Sequence, residues 1–360
     1  MTDLLYLNAA NAVLDKNPGA LHKIHDLYHG DWKRAWDSRF SRYLVKKSAV
    51  VDAAIFRARQ KLVDPEKEWK KLKADKIEII TINDKKYPKL LKHIPDPPFI
   101  LYIRGSLDYC AKLCIAVVGT RTLSDYGKRT APHIVGLLAS AGCTIISGLA
   151  DGIDTLAHKT ALEAGGGTIA VLGTGIDDRS IFPQRNLKLA KSIIASGGAL
   201  ISEYAPGTNG TKYTFPQRNR IISGLSKGTL VIEAGIKSGS IITANCALDQ
   251  NRDVFAVPGN IFSRTSEGTN AIIKKGAALV THAQDILDVY DIKTKTANTI
   301  RAENETESLL LSVLGAEPLP LDEIVRATGL NPSEAGAALV VMELSNKVRN
   351  LGNGKYTLRN

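Results

Sequence analysis

Hydrophobic positions change their spacing along the chain, and the changes divide it into parts. In residues 1–75, apolar residues recur at intervals of three and four, as between Leu4 and Leu14, which predicts several short helices. From Ile115 to about Tyr290, short continuous apolar runs alternate with segments of helical spacing. Alternating strands and helices of this length predict a parallel, doubly wound α/β sheet.

Seven apolar runs in the central part are predicted strands. Most lack alternation of apolar and polar residues, as expected for strands buried on both faces of a sheet. They cover residues 115–118, 143–147, 168–172, 199–202, 229–233, 253–257 and 278–280. Helices are predicted between them, for example Thr130–Ala141 and Thr155–Ala164, and residues 77–103 form a lead-in of strand-like pieces broken by prolines.

The C-terminal part has the pattern of a winged helix. Three helices are predicted at 304–314, 321–328 and 332–345, followed by a hairpin at 347–358. Asn331, Pro332 and Glu334 form a capping-box arrangement, and Asn353-Gly354 suits a hairpin tip. The predicted organisation is a helical domain (1–75), a sheet domain (76–292), a linker (293–303) and the winged helix (304–360).

Charge is distributed unevenly over these parts. The formal net charge is +11, with 15 Lys and Arg against 10 Asp and Glu in residues 1–75, and 5 against 8 in residues 302–360. The sheet region therefore carries most of the excess, which favours a polyanionic partner. Because the winged helix is acidic, protein binding or regulation suits it at least as well as DNA groove recognition.

Other classes of protein are disfavoured by composition. No apolar run approaches the ~18 residues of a membrane span, and no signal peptide is visible. Four cysteines, without metal-ligand spacing, are most simply buried thiols of a reducing compartment: Cys110, Cys114, Cys143 and Cys246. We expect a cytoplasmic protein with no metal and no cofactor.

The segment after the first central strand has the features of an anion-binding turn. Gly119-Thr120-Arg121 ends a buried strand and precedes a helix, so backbone N–H groups and a guanidinium are offered together. Glycine-bearing loops after other strands share this edge of the sheet, where ligands bind in doubly wound folds. Asp151 and Asp154 are candidates for a paired-carboxylate device, although helix capping is the simpler interpretation.

A second segment interleaves aromatic and basic residues. Lys212–Arg220 contains two aromatic rings and three cations, a composition suited to single-stranded nucleic acid, or alternatively an ordinary basic loop. Its pentapeptide Phe-Pro-Gln-Arg-Asn also occurs at Phe182–Asn186.

Ordered motifs over residues 80–290 make the chain resemble the DNA-processing protein A (DprA/Smf) family. They include Gly119-Thr-Arg-x-x-Ser-x-Tyr-Gly127, Ser147-Gly-Leu-Ala-x-Gly-Ile-Asp154, Phe215-Pro-x-Arg-Asn-Arg and Glu233-Ala-x-x-x-Ser-Gly-Ser240. Phe182 stands where many members have tyrosine. The resemblance implies a Rossmann-like domain, a SAM-like helical N-terminus and a winged helix.

The resemblance further implies a non-enzymatic protein that binds single-stranded DNA and loads a RecA-type recombinase in natural transformation, as a homodimer. Arg121, Lys212 and Phe215 are carried over as strand contacts. Together with the sequence arguments, the expected DNA- and phosphate-binding set is Gly119, Thr120, Arg121, Ser124, Tyr126, Gly127, Ser147, Gly148, Lys212, Phe215, Arg218, Asn219, Arg220, Ser238, Gly239 and Ser240.

Two other functions stay open at this point. The first is a nucleotide N-glycosidase of the related phosphoribohydrolase group, although the loop from Ala234 lacks that group's double glycine and following glutamate. The second is a duplex-specific regulator acting through the winged helix.

Overall fold

The computed structural model describes residues 2–38, 53–292, 302–315, 318–345 and 347–358, without the side chains of Thr2 and residues 53–57. The chain divides into two compact units, residues 1–293 and 294–360. Most of the predicted linker, residues 293–301, lies outside the described residues. No helix in the described ranges is both long and apolar enough to cross a membrane.

The first unit begins with helices whose apolar faces pack together and against the sheet. The carboxylate of Asp31 caps one of them by accepting the Arg34 N–H at 2.8 Å. The side-chain amide of Asn11 donates to the Tyr102 hydroxyl at 3.2 Å and to the Glu203 carbonyl at 3.0 Å, which joins the helices to the sheet. The helices described here are α1 (Thr2–Leu14), α2 (Ala20–Tyr28), α3 (Trp32–Asp37), α4 (Ala53–Leu62) and α5 (Pro65–Ala74).

A nine-stranded sheet in the described residues forms the core of this unit. Its strands are β1 (Glu78–Thr81), β2 (Ile100–Gly105), β3 (Cys114–Val118), β4 (Thr144–Ser147), β5 (Thr168–Val171), β6 (Ala199–Ser202), β7 (Gly228–Val231), β8 (Asp253–Ala256) and β9 (Ala278–Leu279). They lie in the order β1-β2-β6-β5-β4-β3-β7-β8-β9. All pairs from β6 to β9 are parallel, and β2 is antiparallel to both neighbours.

The predicted sheet is confirmed, and each predicted strand lies within two residues of an observed one. All five residues of β3 and all four of β4 and β5 are buried, which explains why these strands read as unbroken apolar runs. The chain order reverses direction between the neighbours β3 and β7. The loops after these two strands therefore separate and leave a crevice, the position where doubly wound folds bind ligands.

Helices cover both faces of the sheet. One begins at Asp125, five residues before the predicted start, because the Ser124 hydroxyl accepts the Gly127 N–H at 3.1 Å and caps it. The helices are α6 (Lys89–Lys92), α7 (Asp125–Ser140), α8 (Ile153–Glu163), α9 (Leu187–Ala195), α10 (Thr214–Gly224), α11 (Gly239–Asp249), α12 (Glu267–Lys274) and α13 (Ala283–Val289).

The second unit has the predicted winged-helix elements. They are α14 (Glu305–Val313), β10 (Leu319–Pro320), α15 (Leu321–Thr328), α16 (Pro332–Leu344), β11 (Val348–Asn350) and β12 (Lys355–Leu358). Asn331 caps α16 through the Glu334 N–H at 2.9 Å, but the Glu334 carboxylate accepts from Thr306 instead of closing a capping box. Asn353 and Gly354 both have positive φ at the hairpin tip, as predicted.

Candidate nucleic-acid interface

A cavity of about 580 Å³ opens in the crevice between the loops that follow β3 and β7. The first turns of α10 and α11 complete its walls. Its lining includes Gly119, Arg121, Phe182, Lys212, Phe215, Ser238, Gly239 and Ser240. Six of these residues belong to the sequence motifs that begin at Gly119, Phe215 and Glu233. Lys212 comes from the basic segment Lys212–Arg220, and Phe182 comes from the first copy of the repeated pentapeptide. The fold therefore brings distant motifs to one edge of the sheet.

Arg121 extends from a backbone that is held on both sides. The Thr120 N–H donates to the Glu233 carbonyl at 2.7 Å, and the Thr120 carbonyl accepts the Ile153 N–H at 3.1 Å. Gly152 has φ +80°, and a Cβ there would lie 2.1 Å from the Thr120 carbonyl oxygen, so a glycine is required. The Arg121 side chain is exposed and has no carboxylate partner among the described residues. Its guanidinium is available to an anionic ligand.

Aromatic rings adjoin this guanidinium. The Arg121 guanidinium carbon lies 5.9 Å from the centre of the Phe215 ring, within the range of a cation–π contact. The Phe182 ring lies 5.5 Å from Phe215 at an angle of 40°. The Phe215 ring packs against the backbone of two glycines, Gly173 and Gly210. A Cβ at these positions would lie 2.9 and 2.4 Å from atoms of the ring, so there is no room for a side chain.

Phe182 is the most open ring of this cluster. Its exposure is 54%, whereas Phe215 is half-buried between the glycines, Arg121 and Phe182. Sequence reasoning did not include Phe182 among the site residues. The signal was present in the repeated pentapeptide, whose two phenylalanines meet in space.

The first turn of α11 brings the N-terminal end of a helix to the cavity. Ser238 caps this helix, and its hydroxyl lies 2.7 Å from that of Ser240. The side-chain amide of Asn219 donates to the Gly239 carbonyl at 3.1 Å and holds this turn against α10. An 11-residue helix pointing its N-terminus into the cavity favours an anion there.

Lys212 and Tyr213 lie at the mouth of the cavity just before α10. Both are exposed, and the Lys212 ammonium lies 5.2 Å from the centre of the Tyr213 ring. Lys212 has no ion-pair partner in the ranges that the structure describes. It is a second free cation of the cavity.

Ser124 and Gly127 are committed to the protein itself, which revises their expected role. The Ser124 hydroxyl donates to the Glu233 carboxylate at 2.5 Å, and Thr265 donates to the same carboxylate at 3.0 Å. A Cβ at Gly127 would lie 2.0 Å from that carboxylate. The Tyr126 hydroxyl donates to the Pro258 carbonyl at 2.8 Å, and its ring is 40% exposed. Glu233 thus joins three loops of this edge.

Arg218 is among the residues that line the cavity, but its side chain is almost fully buried and is held by the protein itself. It is only 4% exposed and donates to the Gly148 carbonyl at 2.6 Å and to the Val171 carbonyl. Burial lowers its pKa to about 10, against the opposing effect of Asp154. A Cβ at Gly148 would lie 2.2 Å from the guanidinium. Arg218 and Gly148 form a structural contact beneath the cavity.

Arg220 and Ser147 are also used internally. The Arg220 guanidinium makes two contacts with the buried Glu203 carboxylate, at 2.7 and 3.1 Å, and one with Asp96 at 3.0 Å. Burial alone lowers the pKa of Arg220, but these carboxylates outweigh it and raise the pKa. Ser147 is buried and donates to the Val117 carbonyl at 2.6 Å. Arg218 and Arg220 both lie on α10 and point to different partners from it, whereas Lys212 precedes the helix.

The paired aspartates do not form a free acid–base pair. Asp151 is bound by Arg185 through two contacts at 2.7 and 2.5 Å. Asp154 accepts the N–H groups of Gly148 and Ala150 at 3.1 and 3.4 Å, so it holds the preceding loop and does not cap its helix by its side chain. Burial raises the pKa of Asp154. In the described part of the chain, no group of His, Cys, Asp and Glu is arranged to hold a metal ion.

Comparison with known proteins places this arrangement in one family. The model of the DNA recombination-mediator protein A family matches residues 78–291, and that of the DprA winged helix domain matches residues 294–354. Protein Smf of Escherichia coli K12 is 40% identical over 291 residues, 78% of this chain and 77% of the relative. DNA processing protein DprA of Streptococcus pneumoniae R6 is 43% identical over 211 residues, 59% of this chain and 73% of the relative.

Solved structures agree with the sequence matches. DNA processing protein A of S. pneumoniae superposes with a TM-score of 0.63 at 33% identity and covers 82% of this chain and 99% of its own. DNA processing protein A of Helicobacter pylori, described for its single-stranded DNA binding mode, has a TM-score of 0.54 at 29% identity, over 60% of this chain and 97% of its own.

Proposed function

We propose that the cavity of this chain, which belongs to the DNA recombination-mediator protein A family, binds single-stranded DNA without cleaving it. The proposal rests on the unpaired Arg121 guanidinium, which lies within cation–π range of Phe215 beside the exposed Phe182 ring. Guanidinium groups bind phosphate and open aromatic faces bind bases, so one strand can use both.

Four features are left for the strand once internally committed side chains are set aside. Arg121 and Lys212 contact phosphates, the first turn of α11 receives another, and Phe182 stacks on a base. Residues 76–301 carry a net charge of +9, which supports an anionic polymer as ligand. The H. pylori relative supports the choice of single-stranded DNA.

The state of the carboxylates supports binding without catalysis. Glu233 is occupied by Ser124 and Thr265, and Asp154 by two backbone N–H groups. A nucleotide N-glycosidase would need a carboxylate directed at its substrate. These contacts support a binding protein over that alternative.

The acidic winged helix is proposed to bind protein and not a DNA groove. Its helix α16 contains no Lys or Arg and exposes Val340, Val341 and Leu344. Lys347, near the end of this helix, pairs with Glu303 and Glu307 at 2.7 and 2.8 Å. A duplex-specific regulator would need cations on this helix.

Further properties suggested by the family remain part of the proposal. We infer a role in DNA processing during transformation, loading of a RecA-type recombinase, a homodimer, and a cytoplasmic location. The names of the S. pneumoniae and Bacillus subtilis relatives support the first of these. The four-part division at residues 75, 292 and 303 is likewise proposed.

Mobility shifts of single- and double-stranded oligonucleotides over a salt series test the DNA site. Arg121→Ala and Lys212→Ala should each weaken binding of the single strand and lower the salt slope by about 0.7. Phe182→Ala should weaken it by about 1–3 kcal/mol without changing the slope. Arg129→Ala is the matched control, because Arg129 is exposed but does not line the cavity. An unchanged affinity and slope for Arg121→Ala would refute the site.

A further inference from the structure

Two large apolar side chains project from the loop between β8 and α12. Ile261 is 78% exposed and Phe262 is 90% exposed, and they are adjacent in the chain. Ile236, in the neighbouring loop after β7, is 61% exposed. Exposed apolar side chains grouped on one edge of a protein commonly mark a contact surface.

The loop that carries Phe262 is held by hydrogen bonds. The Phe262 N–H donates to the Asn260 side chain at 2.9 Å, and the Ser263 N–H donates to the Asn260 carbonyl at 3.0 Å. Asn270 makes two further contacts with the backbone of Gly259, at 3.2 and 3.0 Å. The Phe262 ring is thus presented to solvent by a backbone with ordered contacts.

The charges around this ring match a polyanion. Lys237 and Arg264 are exposed, and neither has a carboxylate partner in the part of the chain that the structure describes. The segments 235–238 and 257–266 contain these two cations and no Asp or Glu. The exposed Glu267 follows this segment directly, but two unpaired cations beside an apolar tip favour nucleic acid over an apolar protein surface.

This loop also continues the edge that contains the Arg121 cavity. The Ala234 N–H donates to the Thr265 carbonyl at 2.7 Å, so the loops after β7 and β8 are in contact. Lys237 directly precedes the Ser238–Ser240 turn that lines the cavity. The Tyr126 hydroxyl, from the Arg121 loop, reaches the Pro258 carbonyl at the start of the Phe262 loop.

We propose that Phe262 stacks on a base of the same DNA strand beyond the cavity, with Lys237 and Arg264 contacting its phosphates. This second binding element rests on the proposed function of the Arg121 cavity and extends it. Stacking on one open ring is tolerant of sequence, because every base has an aromatic face. A short oligonucleotide occupies the cavity alone, whereas a longer one reaches both elements.

Strand length provides the test. Binding of oligothymidylates of about 6 and about 20 nucleotides is measured by fluorescence anisotropy; the first is near the lower end of the usual site size of single-strand binding folds, about 4–16 nucleotides, and the second exceeds it. Phe262→Ala should weaken binding of the longer strand about 5- to 150-fold, the range of one base–aromatic stack, and leave binding of the shorter strand unaffected. Phe262→Trp should retain the long-strand affinity. Lys237→Ala and Arg264→Ala should each lower the salt slope for the longer strand by about 0.7.

Ile261→Ala is the matched control. It removes exposed apolar surface from the same loop but no aromatic ring, so long-strand affinity should persist. Both side chains are largely in solvent, so neither variant should alter folding, which circular dichroism verifies. Equal affinity of Phe262→Ala for the longer strand would overturn the proposal.

Two other results are distinguishable from these. If both Ile261→Ala and Phe262→Ala lower the mass in sedimentation without loss of long-strand affinity, the tip is a contact between protein chains and the proposal is wrong. If Arg121→Ala also leaves both strand lengths unaffected, the proposed function itself fails, and this extension fails with it.

Discussion

Replacing Arg218 by alanine should destabilise the first unit rather than remove a DNA contact. The guanidinium donates to the carbonyls of Gly148 and Val171, both in a buried environment. A buried carbonyl that loses its partner costs about 1–3 kcal/mol, so two of them predict a loss of about 2–6 kcal/mol in the free energy of unfolding. Asp154 also loses a neighbouring cation, which adds to the loss.

Urea-induced unfolding followed by far-ultraviolet circular dichroism measures this effect. Arg218→Ala should lower the urea midpoint, whereas Arg121→Ala, at an exposed position, should change the unfolding free energy by no more than about 0.5 kcal/mol. Binding of single-stranded DNA also distinguishes the two variants. Arg121→Ala should lose DNA affinity while its free energy of unfolding is unchanged. An Arg218→Ala protein with an unchanged midpoint and a lost DNA affinity would refute the reasoning, because Arg218 would then act at the strand.

Two further predictions concern packing and pH. His158 is buried, and burial, together with Arg218, lowers its pKa from 6.5 to about 3, so only the unfolded chain gains this proton as the pH falls below 6.5. The contribution of neutral His158 to the free energy of unfolding should be complete above pH 6.5 and decrease as the pH falls towards 3. His158→Gln should therefore make the urea midpoint less dependent on pH between pH 6.5 and about pH 5. An unchanged pH dependence of the midpoint would contradict this. Gly127→Ala should cost about 1–3 kcal/mol because its Cβ would lie 2.0 Å from the Glu233 carboxylate. Gly136→Ala in the same helix, where the nearest atom is at 3.5 Å, should be stabilising by about 0.5–1 kcal/mol, and equal melting temperatures of the two variants would be the contrary result.

The sheet was predictable because its information is local. Strands buried on both faces are apolar throughout, and Ile115–Val118 and Ala199–Ser202 are bounded by turns within a few residues. Parallel order then follows from the intervening helices, and the loops at the carboxyl ends come together without further knowledge. The winged helix was predictable from its caps and hairpin tip.

The orientation of the basic side chains was not predictable, because their partners are distant in sequence. An α-helix turns once in about 3.6 residues, so Arg218 and Arg220 on α10 face different surroundings, and Lys212 lies before the helix begins. Arg218 meets the Gly148 carbonyl 70 positions away, and Arg220 meets Glu203. The residues adjacent to Arg218 and Arg220 in the sequence do not indicate which distant residues these side chains contact.

Ser124 shows the same limit at the other side of the cavity. Its position after a glycine-rich turn suited phosphate binding equally well, but its partner is Glu233, 109 positions away. Phe182 was missed because its loop contains no recognisable binding motif except the repeated pentapeptide. Its place in the site becomes visible only in the structure, where its ring lies beside Phe215.

The side chains of Arg121, Phe215 and Phe182 already contact one another in the structure without a ligand, and this affects the expected rate of binding. Side chains that are ordered beforehand do not lose rotamer freedom when a ligand arrives. In the proposed function, binding of a strand should need little rearrangement of these side chains, so its rate should be governed by electrostatically guided encounter and rise as the ionic strength falls. For the proposed single-stranded DNA site, the rate of binding should therefore depend on encounter and not on a change of protein conformation.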